Sequence, residues 1–421
     1  MGSAPIHPQQ FVGPVADLRL LLMTTLLSAR PSSALSRLRR ALPLITLLAL
    51  GAGLLCSGQA QAQSYQVQSL SQNGAFTYAL NARGQVSGSL LDNNGIYQAF
   101  LTGPNGQSLV AMTQLPGDAT GNAINFSGQI AGEVITGMNP SRVEAFVTDA
   151  QGQNARLLGG IGGNVTTARG INDSGTVIGM GRDGSGSTKF HALRWQANST
   201  EAERLLTLGG NTSSAQAING SGLIVGNSGL SDGSVHAVIW GLNGAAIADL
   251  GTLGGFSSSA LALNQIAQVA GTSRVADGSL HAFITGAGAQ GMSDLGTLGW
   301  VHSQASVINN TGIVAGNLFN GTDGASYIAG HAFITGANGQ GMVDLNSLVS
   351  VGEGLYLNDV WGLNDAGQLL VSDQNGLGYL LTPVPEAASS AMLLAGLLML
   401  ALLARRRRGD TRATALKPMQ A

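Results

Sequence analysis

Histidine and aspartate recur at a constant separation along the chain, and these two side chains together can transfer a proton or bind a metal ion. The dipeptide His-Ala occurs four times, and an acidic residue, or in one copy an arginine, follows each histidine by thirteen positions. The four pairs are His191 with Arg204, His236 with Asp249, His281 with Asp294 and His331 with Asp344. A catalytic or metal site is ordinarily single, whereas these pairs are distributed along the chain. The pattern therefore favours a structural hydrogen bond between neighbouring strands, and the sequence predicts no metal site, no catalytic residue and no cofactor.

Three Asp-Gly segments have the composition of calcium-binding loops. They start at Asp183, Asp232 and Asp277, and each is followed by Gly and Ser. None has the alternating acidic spacing with a closing glutamate that would supply six or more oxygen ligands. Tight turns are the favoured interpretation, because Asp and Gly are common turn formers.

Aromatic residues are concentrated where the chain departs from its usual spacing, and such side chains can stack on sugar rings. Two insertions of about five residues each lengthen the loops of this region. The candidate ligand surface consists of Trp300, Phe319, Tyr327, Tyr356 and Trp361. The alternative is that these rings simply pack against the last repeat. Glu353 and Asp359, in or beside the same insertions, are the candidate acids if the protein is instead a glycan hydrolase or lyase.

An asparagine preceded by Ile or Leu recurs seven times and marks the start of an internal repeat. The intervals between successive asparagines are 44, 47, 47, 45, 45 and 55 residues. Three residues after each asparagine stands a glycine, except at Ala267. The seven positions are Asn81, Asn125, Asn172, Asn219, Asn264, Asn309 and Asn364. Asn-x-x-Gly between short β-rich segments is typical of a turn, and the repetition favours a turn former over a ligand.

Each repeat contains four short segments that alternate polar and apolar residues, with Gly, Asn and Asp between them. Four strands in about 45 residues is the size of a β-propeller blade. The first segment, Tyr65–Leu70, matches only the fourth strand of the unit, and the last repeat lacks a fourth strand. The sequence therefore predicts an all-β, seven-bladed propeller of four-stranded blades over residues 63–383, with the N-terminal strand completing the last blade.

The N-terminal region, residues 1–62, has the features of a secretory signal peptide with an extended n-region. A basic segment over 36–40 precedes an apolar segment over 41–55, and Ala60 and Ala62 form an A-x-A site with cleavage after Ala62. Translation starts at Met1 or at Met23. The lone cysteine, Cys56, lies in this region, so the remaining chain has no disulfide.

The C-terminal region has three parts, which the sequence places at residues 384–408. Val384, Pro385 and Glu386 precede eighteen uncharged residues, 387–404, and four arginines follow. Eighteen apolar residues just suffice to cross about 30 Å of hydrocarbon, and the basic end would stay cytoplasmic, with 409–421 as a cytoplasmic tail. The arginines are Arg405, Arg406, Arg407 and Arg408.

This arrangement resembles the PEP-CTERM sorting signal of Gram-negative bacteria, although Ala387 stands where that family usually has a second proline. The resemblance implies processing by an exosortase-type sorting enzyme in the inner membrane. A plain single-span anchor is the alternative. On either interpretation, we expect the protein to be exported, to be anchored in the membrane at its C-terminus, and then to lie at the cell surface or outside the cell.

The repeat itself resembles the HAF repeat, a family of extracellular repeats named for its His-Ala-Phe strand. The match is best at His281-Ala282-Phe283, with Asp294 to Gly299, and at His331-Ala332-Phe333, and it extends over roughly residues 65–382. The resemblance implies an extracellular location and a repeat architecture. It brings no established activity.

Charge excludes one class of partner. Residues 63–385 contain nineteen acidic and nine basic residues, a balance of −10, whereas both ends are basic. A nucleic-acid-binding protein needs a basic surface to neutralise phosphate. The sequence therefore favours a non-enzymatic binding or structural role at the cell surface, with an exopolysaccharide or another surface protein as partner. The alternative function is a propeller-fold glycan hydrolase or lyase.

Overall fold

The computed structural model describes residues 64–70, 75–112, 114–137, 141–184, 186–321, 328–384, 396–397 and 399–400. The chain divides into two units, Met1–Ala62 and Gln63–Ala421, and every described residue belongs to the second. Several predicted features therefore lie outside the described residues. They are the signal region 1–62 with Ala60 and Ala62, the motif residues Pro385 and Glu386, Tyr327, Arg405 to Arg408, and the tail 409–421.

The described chain forms twenty-eight β-strands and five single-turn 3₁₀ helices, in agreement with the predicted all-β class. Five sheets have four antiparallel strands each. The first of them contains β1 (Tyr65–Ser69), β26 (Leu357–Leu363), β27 (Leu369–Asp373) and β28 (Gly378–Pro383). The second contains β2 (Ala75–Leu80), β3 (Val86–Leu91), β4 (Tyr97–Leu101) and β5 (Val110–Ala111). The third contains β6 (Asp118–Ile124), β7 (Ile130–Thr136), β8 (Arg142–Val147) and β9 (Arg156–Leu157).

The other two four-stranded sheets follow the same order. One contains β10 (Thr166–Ile171), β11 (Val177–Arg182), β12 (Phe190–Trp195) and β13 (Glu203–Arg204). The other contains β22 (His302–Ile308), β23 (Val314–Asn320), β24 (Ile328–Ile334) and β25 (Val343–Asp344). The 3₁₀ helices are Pro104–Gly106, Leu242–Gly244, Ala287–Ala289, Ala337–Gly339 and Leu345–Ser347.

The sixth sheet has eight strands, and it corrects the predicted blade count. It contains β14 (Gly209–Ile218), β15 (Ile224–Leu230), β16 (Val235–Trp240), β17 (Ile247–Gly251), β18 (Gly254–Leu263), β19 (Val269–Val275), β20 (Leu280–Gly286) and β21 (Gln290–Gly296). The prediction of seven separate four-stranded blades is therefore wrong: the structure has five four-stranded sheets and this larger one. The physical reason is the length of β18, whose ten residues extend back far enough for Ser257 to pair in parallel with Val235 of β16.

The two ends of the described repeat region belong to one sheet. β1 pairs antiparallel with β28, with Tyr65 opposite Pro383 and Ser69 opposite Tyr379. This is the ring closure that the orphan N-terminal strand predicts. This pairing makes the first and last repeats neighbours, as the other repeats are along the sequence.

The repeated asparagines both form the turns and join the repeats. In Asn219, the side-chain oxygen accepts hydrogen bonds from the backbone N–H groups of Ser221 and Leu223, and Nδ2 donates to the carbonyl oxygen of Asn264 in the next repeat, at 3.1 Å. Six of the seven asparagines make this inter-repeat bond. They are Asn81, Asn125, Asn172, Asn219, Asn264 and Asn364. Asn364 donates to Asn81, 283 residues away, so the series of bonds returns to its start.

The hydrophobic core lies between neighbouring sheets. The alanine of the third strand is fully buried in six repeats, because only a small side chain fits where adjacent sheets approach closely. These residues are Ala99, Ala145, Ala192, Ala237, Ala282 and Ala332. The residue after each alanine is a buried apolar one, such as Phe146 or Phe283, which fills the adjoining space.

The predicted C-terminal transmembrane helix, and with it the predicted membrane anchoring, is corrected by the structure. Within the described ranges, no helix is long and apolar enough to cross a membrane. Of the segment 387–404, only residues 396–397 and 399–400 are described, and they are helical.

Candidate functional site

One position of the repeat supplies five of the six residues that line a single cavity. It lies three residues before each repeated asparagine, in the first strand of the repeat, and strand pairing skips it in every copy because it forms a β-bulge. We call these seven residues the wall positions. They are Tyr78, Asn122, Arg169, Gln216, Leu261, Ser306 and Trp361.

A glycine in the second strand makes room for the bulge. In the fourth repeat, a Cβ added to Gly226 would lie 1.9 Å from the carbonyl oxygen of Ser214, two residues before the wall position Gln216. Such a contact is sterically impossible, so a side chain here would force the two strands apart. The repeated Gly-x-Val-x-Gly pattern thus supports the geometry that turns the wall side chains inward.

Neighbouring wall residues contact one another across the repeats. Nη1 of Arg169 donates to Oε1 of Gln216 at 2.9 Å, and Nδ2 of Asn122 donates to the carbonyl oxygen of Ala168 at 3.0 Å. The rings of Tyr78 and Trp361 meet edge to face, with centroids 5.4 Å apart and an interplanar angle of 88°. Each of these contacts joins two neighbouring repeats, and together they involve five consecutive repeats around the ring.

These side chains enclose an open cavity of about 320 Å³, which we call the axial cavity. Its lining is Tyr78, Asn122, Glu133, Arg169, Gln216 and Trp361. Glu133 comes from the second strand of its repeat, and the other five are wall residues. The volume lies in the range of roughly 300–1,000 Å³ that is usual for small-molecule sites, and the lining combines aromatic faces with convergent polar groups.

A second cavity, of about 450 Å³, adjoins the first because the two share Tyr78 and Glu133. We call it the side cavity. Its other lining residues are Phe76, Ser89, Tyr97, Asp118, Thr120 and Ile135. The rings of Phe76 and Tyr97 lie 6.1 Å apart, and Asp118 accepts a hydrogen bond from the backbone N–H of Tyr97 at 2.8 Å. The two cavities together offer a polar groove with aromatic rings in both parts.

The charges of the axial cavity oppose one another. Burial raises the pKa of Glu133, and the nearby Arg169 partly counteracts that rise. Burial lowers the pKa of Arg169, and Glu133 counteracts it in turn. Burial also raises the pKa of Tyr78. Arg169 is nevertheless exposed to solvent, because it borders the open cavity while protein surrounds it on the other sides.

The predicted aromatic ligand surface separates into different environments. Trp361 is the one of these residues that the structure brings to the axial cavity. Trp300 and Tyr356 both contact the ring of His331, at 4.9 and 5.2 Å between centroids. Phe319 is 2% exposed and contacts His302. Tyr327 lies outside the described residues, so the five residues form no single surface in the part that is described.

The candidate catalytic acids of the alternative function do not come together. Glu353 is exposed in its loop, whereas Asp359 is partly buried and accepts a hydrogen bond from Nδ2 of Asn317. Burial raises the pKa of Asp359, and the bond from Asn317 lowers it. Asp359 lines a cavity of about 100 Å³ with Tyr356 and Phe319. This space is well below the roughly 300 Å³ at which small-molecule sites begin.

The histidine–aspartate pairs are hydrogen-bonded, as their constant separation predicts. Nδ1 of the histidine lies 2.8 Å from the aspartate in His236–Asp249 and in His281–Asp294, and 2.6 Å in His331–Asp344. In the first copy, His191 contacts Asp183 at 3.1 Å instead, and Arg204 lies 3.7 Å from the same carboxylate. Each pair ties neighbouring segments of one repeat together.

Two of the three Asp-Gly-Ser segments are turns, and Ser185 of the third lies outside the described residues. In both turns, the aspartate oxygen accepts hydrogen bonds from the backbone N–H and the hydroxyl of the serine two residues later. These are Asp232 with Ser234 and Asp277 with Ser279. The carboxylates are thereby engaged within their own turns, as the sequence interpretation expects.

The wall positions were not predicted as site residues, although the sequence contains a signal for them. Neighbouring positions are more repetitive: Asn follows by three residues in all seven copies, and an Ala stands one before the bulge in four copies. The wall position changes its chemical type from copy to copy, from aromatic and charged to amide, hydroxyl and aliphatic side chains. A position that varies inside an otherwise repetitive unit is free of the fold's requirements and can serve recognition.

Comparisons with known proteins support the fold and leave the activity open. No family model matches the chain, and no curated protein sequence matches it. Among solved structures, the chain is similar to the β-propeller domain of the trilobed protease from Pyrococcus furiosus, with a TM-score of 0.51, 14% identity, and coverage of 74% of this chain and 96% of that one. This likeness shows a shared propeller fold.

Two further structures have lower scores. TolB from Acinetobacter baumannii gives a TM-score of 0.41 at 11% identity, with 71% of this chain and 63% of TolB covered. The acylaminoacyl peptidase from Pyrococcus horikoshii gives 0.48 at 12% identity, with 71% of this chain and 49% of the peptidase covered. The chain therefore spans less than two thirds of either protein.

Proposed function

We propose that the protein is a non-enzymatic binding protein and that its ligand occupies the axial and side cavities. The observation that carries the proposal is the variation at the wall positions. The fold repeats its turns, glycines and buried alanines from copy to copy, yet the residues that project inward are Tyr, Asn, Arg, Gln, Leu, Ser and Trp. A fold supplies the framework, and function resides in the particular side chains placed on it.

The lining suits a small polar ligand. Asn122 and Gln216 each offer a donor and an acceptor, and the Arg169 guanidinium adds charged donors. Trp361 is 39% exposed, and its indole is held in place because Nε1 donates to Oγ of Ser372 at 3.1 Å. A preordered aromatic face beside fixed polar groups costs little conformational entropy on binding.

The experiment is a ligand screen on the full chain by thermal shift and ligand-observed NMR, with monosaccharides, oligosaccharides, amino acids, short peptides and nucleotides. We expect at least one class to bind, and Trp361→Ala to weaken that binding. Ser306→Ala is the matched control, because Ser306 is a wall residue that lines neither cavity. Binding that Trp361→Ala leaves unchanged, or no binding by any class, would contradict the proposal.

A glycan hydrolase or lyase is the second candidate, and one observation favours it. Asp118 and Glu133 line the same side cavity, and the raised pKa of Glu133 suits a general acid. Glycosidases use two carboxyl groups in this way. Chromatography of bound oligosaccharides after prolonged incubation decides between the two. Unchanged ligand supports the binding role, whereas products that disappear in Glu133→Gln support the enzyme.

A further inference from the structure

The chemistry of the two cavities limits the classes of ligand that can bind, provided that the proposed binding function holds. We propose that the ligand is an uncharged oligosaccharide, with one sugar ring against Trp361 and its hydroxyls on Asn122, Arg169 and Gln216. Three properties of the cavities support this ligand: the shape of the aromatic surface, the type of hydrogen-bonding groups, and the balance of charge.

The aromatic surface comes first. Trp361 lines the axial cavity and is 39% exposed although it contacts Tyr78 edge to face, so part of the indole is open to a ligand. The C–H groups of a pyranose can pack on such a face, which carries partial negative charge. Phe76 and Tyr97 give the side cavity a second aromatic surface, so that the groove can hold more than one sugar unit.

The hydrogen-bonding groups are the second part. Asn122, Arg169 and Gln216 stand on three consecutive repeats, and Glu133 faces the same space. Neighbouring sugar hydroxyls each donate and accept, so they need both kinds of partner close together. Amides supply both, the guanidinium supplies donors, and the carboxylate supplies acceptors. Each amide and the guanidinium already has a partner in the protein and retains further donors or acceptors, and a purely apolar ligand would cut these remaining groups off from water, at a cost in free energy.

Charge is the third part. The linings of the two cavities contain one cation, Arg169, and two carboxylates, Asp118 and Glu133. Arg169 and Glu133 line the same cavity, so a charge of opposite sign accompanies the one cation. An incoming uronate, sulfate or phosphate would therefore find no unopposed cation and would face a net negative site. Residues 63–385 as a whole carry a balance of −10, which repels anions at longer range.

The experiment compares sugars of equal length that differ in charge. Isothermal titration of the full chain uses neutral tetrasaccharides built from glucose, galactose, mannose or xylose, and tetragalacturonate and tetraglucuronate as their acidic counterparts. We expect at least one neutral tetrasaccharide to bind at least tenfold more tightly than either acidic one. Trp361→Ala should weaken that binding by roughly three- to tenfold, and Ser306→Ala should leave it unchanged.

A second variant tests the charge argument directly. Glu133→Gln keeps the shape of the side chain and removes one negative charge, so the affinity for tetragalacturonate should rise by roughly fivefold. Tighter binding of the acidic sugars by the unaltered protein would overturn the inference and leave the binding function intact. Binding of a peptide or a nucleotide that depends on Trp361 would also overturn the inference and leave the binding function intact. Failure of every ligand class to respond to Trp361→Ala would instead refute the proposed function itself.

Discussion

The hydrogen bond between Asn364 and Asn81 joins the last repeat to the first, and its loss should destabilise the protein. Nδ2 of Asn364 donates to the carbonyl oxygen of Asn81 at 3.2 Å and to Oε1 of Gln368 at 2.8 Å, while its side-chain oxygen accepts from the backbone N–H of Gln368 at 3.0 Å. The side chain is buried, at 6% exposure. Asn364→Ala removes all three bonds.

The size of the effect follows from the groups left behind. The backbone N–H of Gln368 would lose its buried partner, whereas the carbonyl of Asn81 keeps the hydrogen bond from the backbone N–H of Gly84 at 3.1 Å. One unsatisfied buried polar group costs about 1–3 kcal/mol, so Asn364→Ala should lower the free energy of unfolding by about 1–3 kcal/mol. Asn219→Ala, at the same position of a middle repeat, should cost a similar amount.

Urea unfolding followed by circular dichroism measures this change, provided that the slope of the transition is unaltered. Asn375→Ala is the control, because Asn375 is an exposed turn residue of the same sheet and should change stability by less than about 0.5 kcal/mol. Asn364→Asp separates the two roles, since it retains the acceptor for Gln368 and loses the donor to Asn81. If Asn364→Ala costs less than about 1 kcal/mol, the asparagine series does not hold the repeats together and the reasoning is refuted.

Three further predictions concern other contacts. First, burial raises the pKa of Glu133 in the folded protein, so its contribution to stability is complete below the unfolded carboxyl pKa and is lost as the pH rises through the folded pKa. Glu133→Gln should therefore reduce the pH dependence of the unfolding free energy between these two pKa values. An unchanged pH profile would contradict the burial of this carboxyl group. Second, Asp294→Asn should cost no more than about 1 kcal/mol, because the pair with His281 is partly exposed to solvent; a larger loss in chemical denaturation would indicate a greater structural role. Third, Gly226→Ala should lower the free energy of unfolding by about 3 kcal/mol or more, because its Cβ would overlap the neighbouring strand. Gly233→Ala, in an open turn at φ +89°, should lower it by about 1 kcal/mol. Equal melting temperatures for the two variants would disprove the role of the bulge.

Local patterns in the sequence were enough to predict much of the fold. The alternation within short segments indicated strands, because side chains on a strand point alternately to its two faces. The match of Tyr65–Leu70 to a fourth strand predicted the pairing of β1 with β28. The constant separation of His281 and Asp294 predicted a contact that the structure contains at 2.8 Å.

Such local patterns could not predict the blade count or the ligand surface. Sheet membership depends on where β16 and β18 meet in space, and no local pattern records that Val235 lies beside Ser257. The aromatic residues of the lengthened loops looked alike in sequence. Packing separated them, so that Phe319 is buried while Trp361 borders the axial cavity.

The sequence by itself determined the repeat: the strand segments, the Asn-x-x-Gly turns, the pairs of His and Asp, and the N-terminal strand that closes the ring. These features depend on interactions within one repeat or on the similarity between repeats, and both are visible in a linear chain. Only the tertiary structure decided which side chains share a cavity. Tyr78 and Trp361 are far apart in the chain and become neighbours because the ring closes, and the β-bulges turn their side chains inward. A site assembled across repeats cannot be seen until the repeats are placed around a common axis.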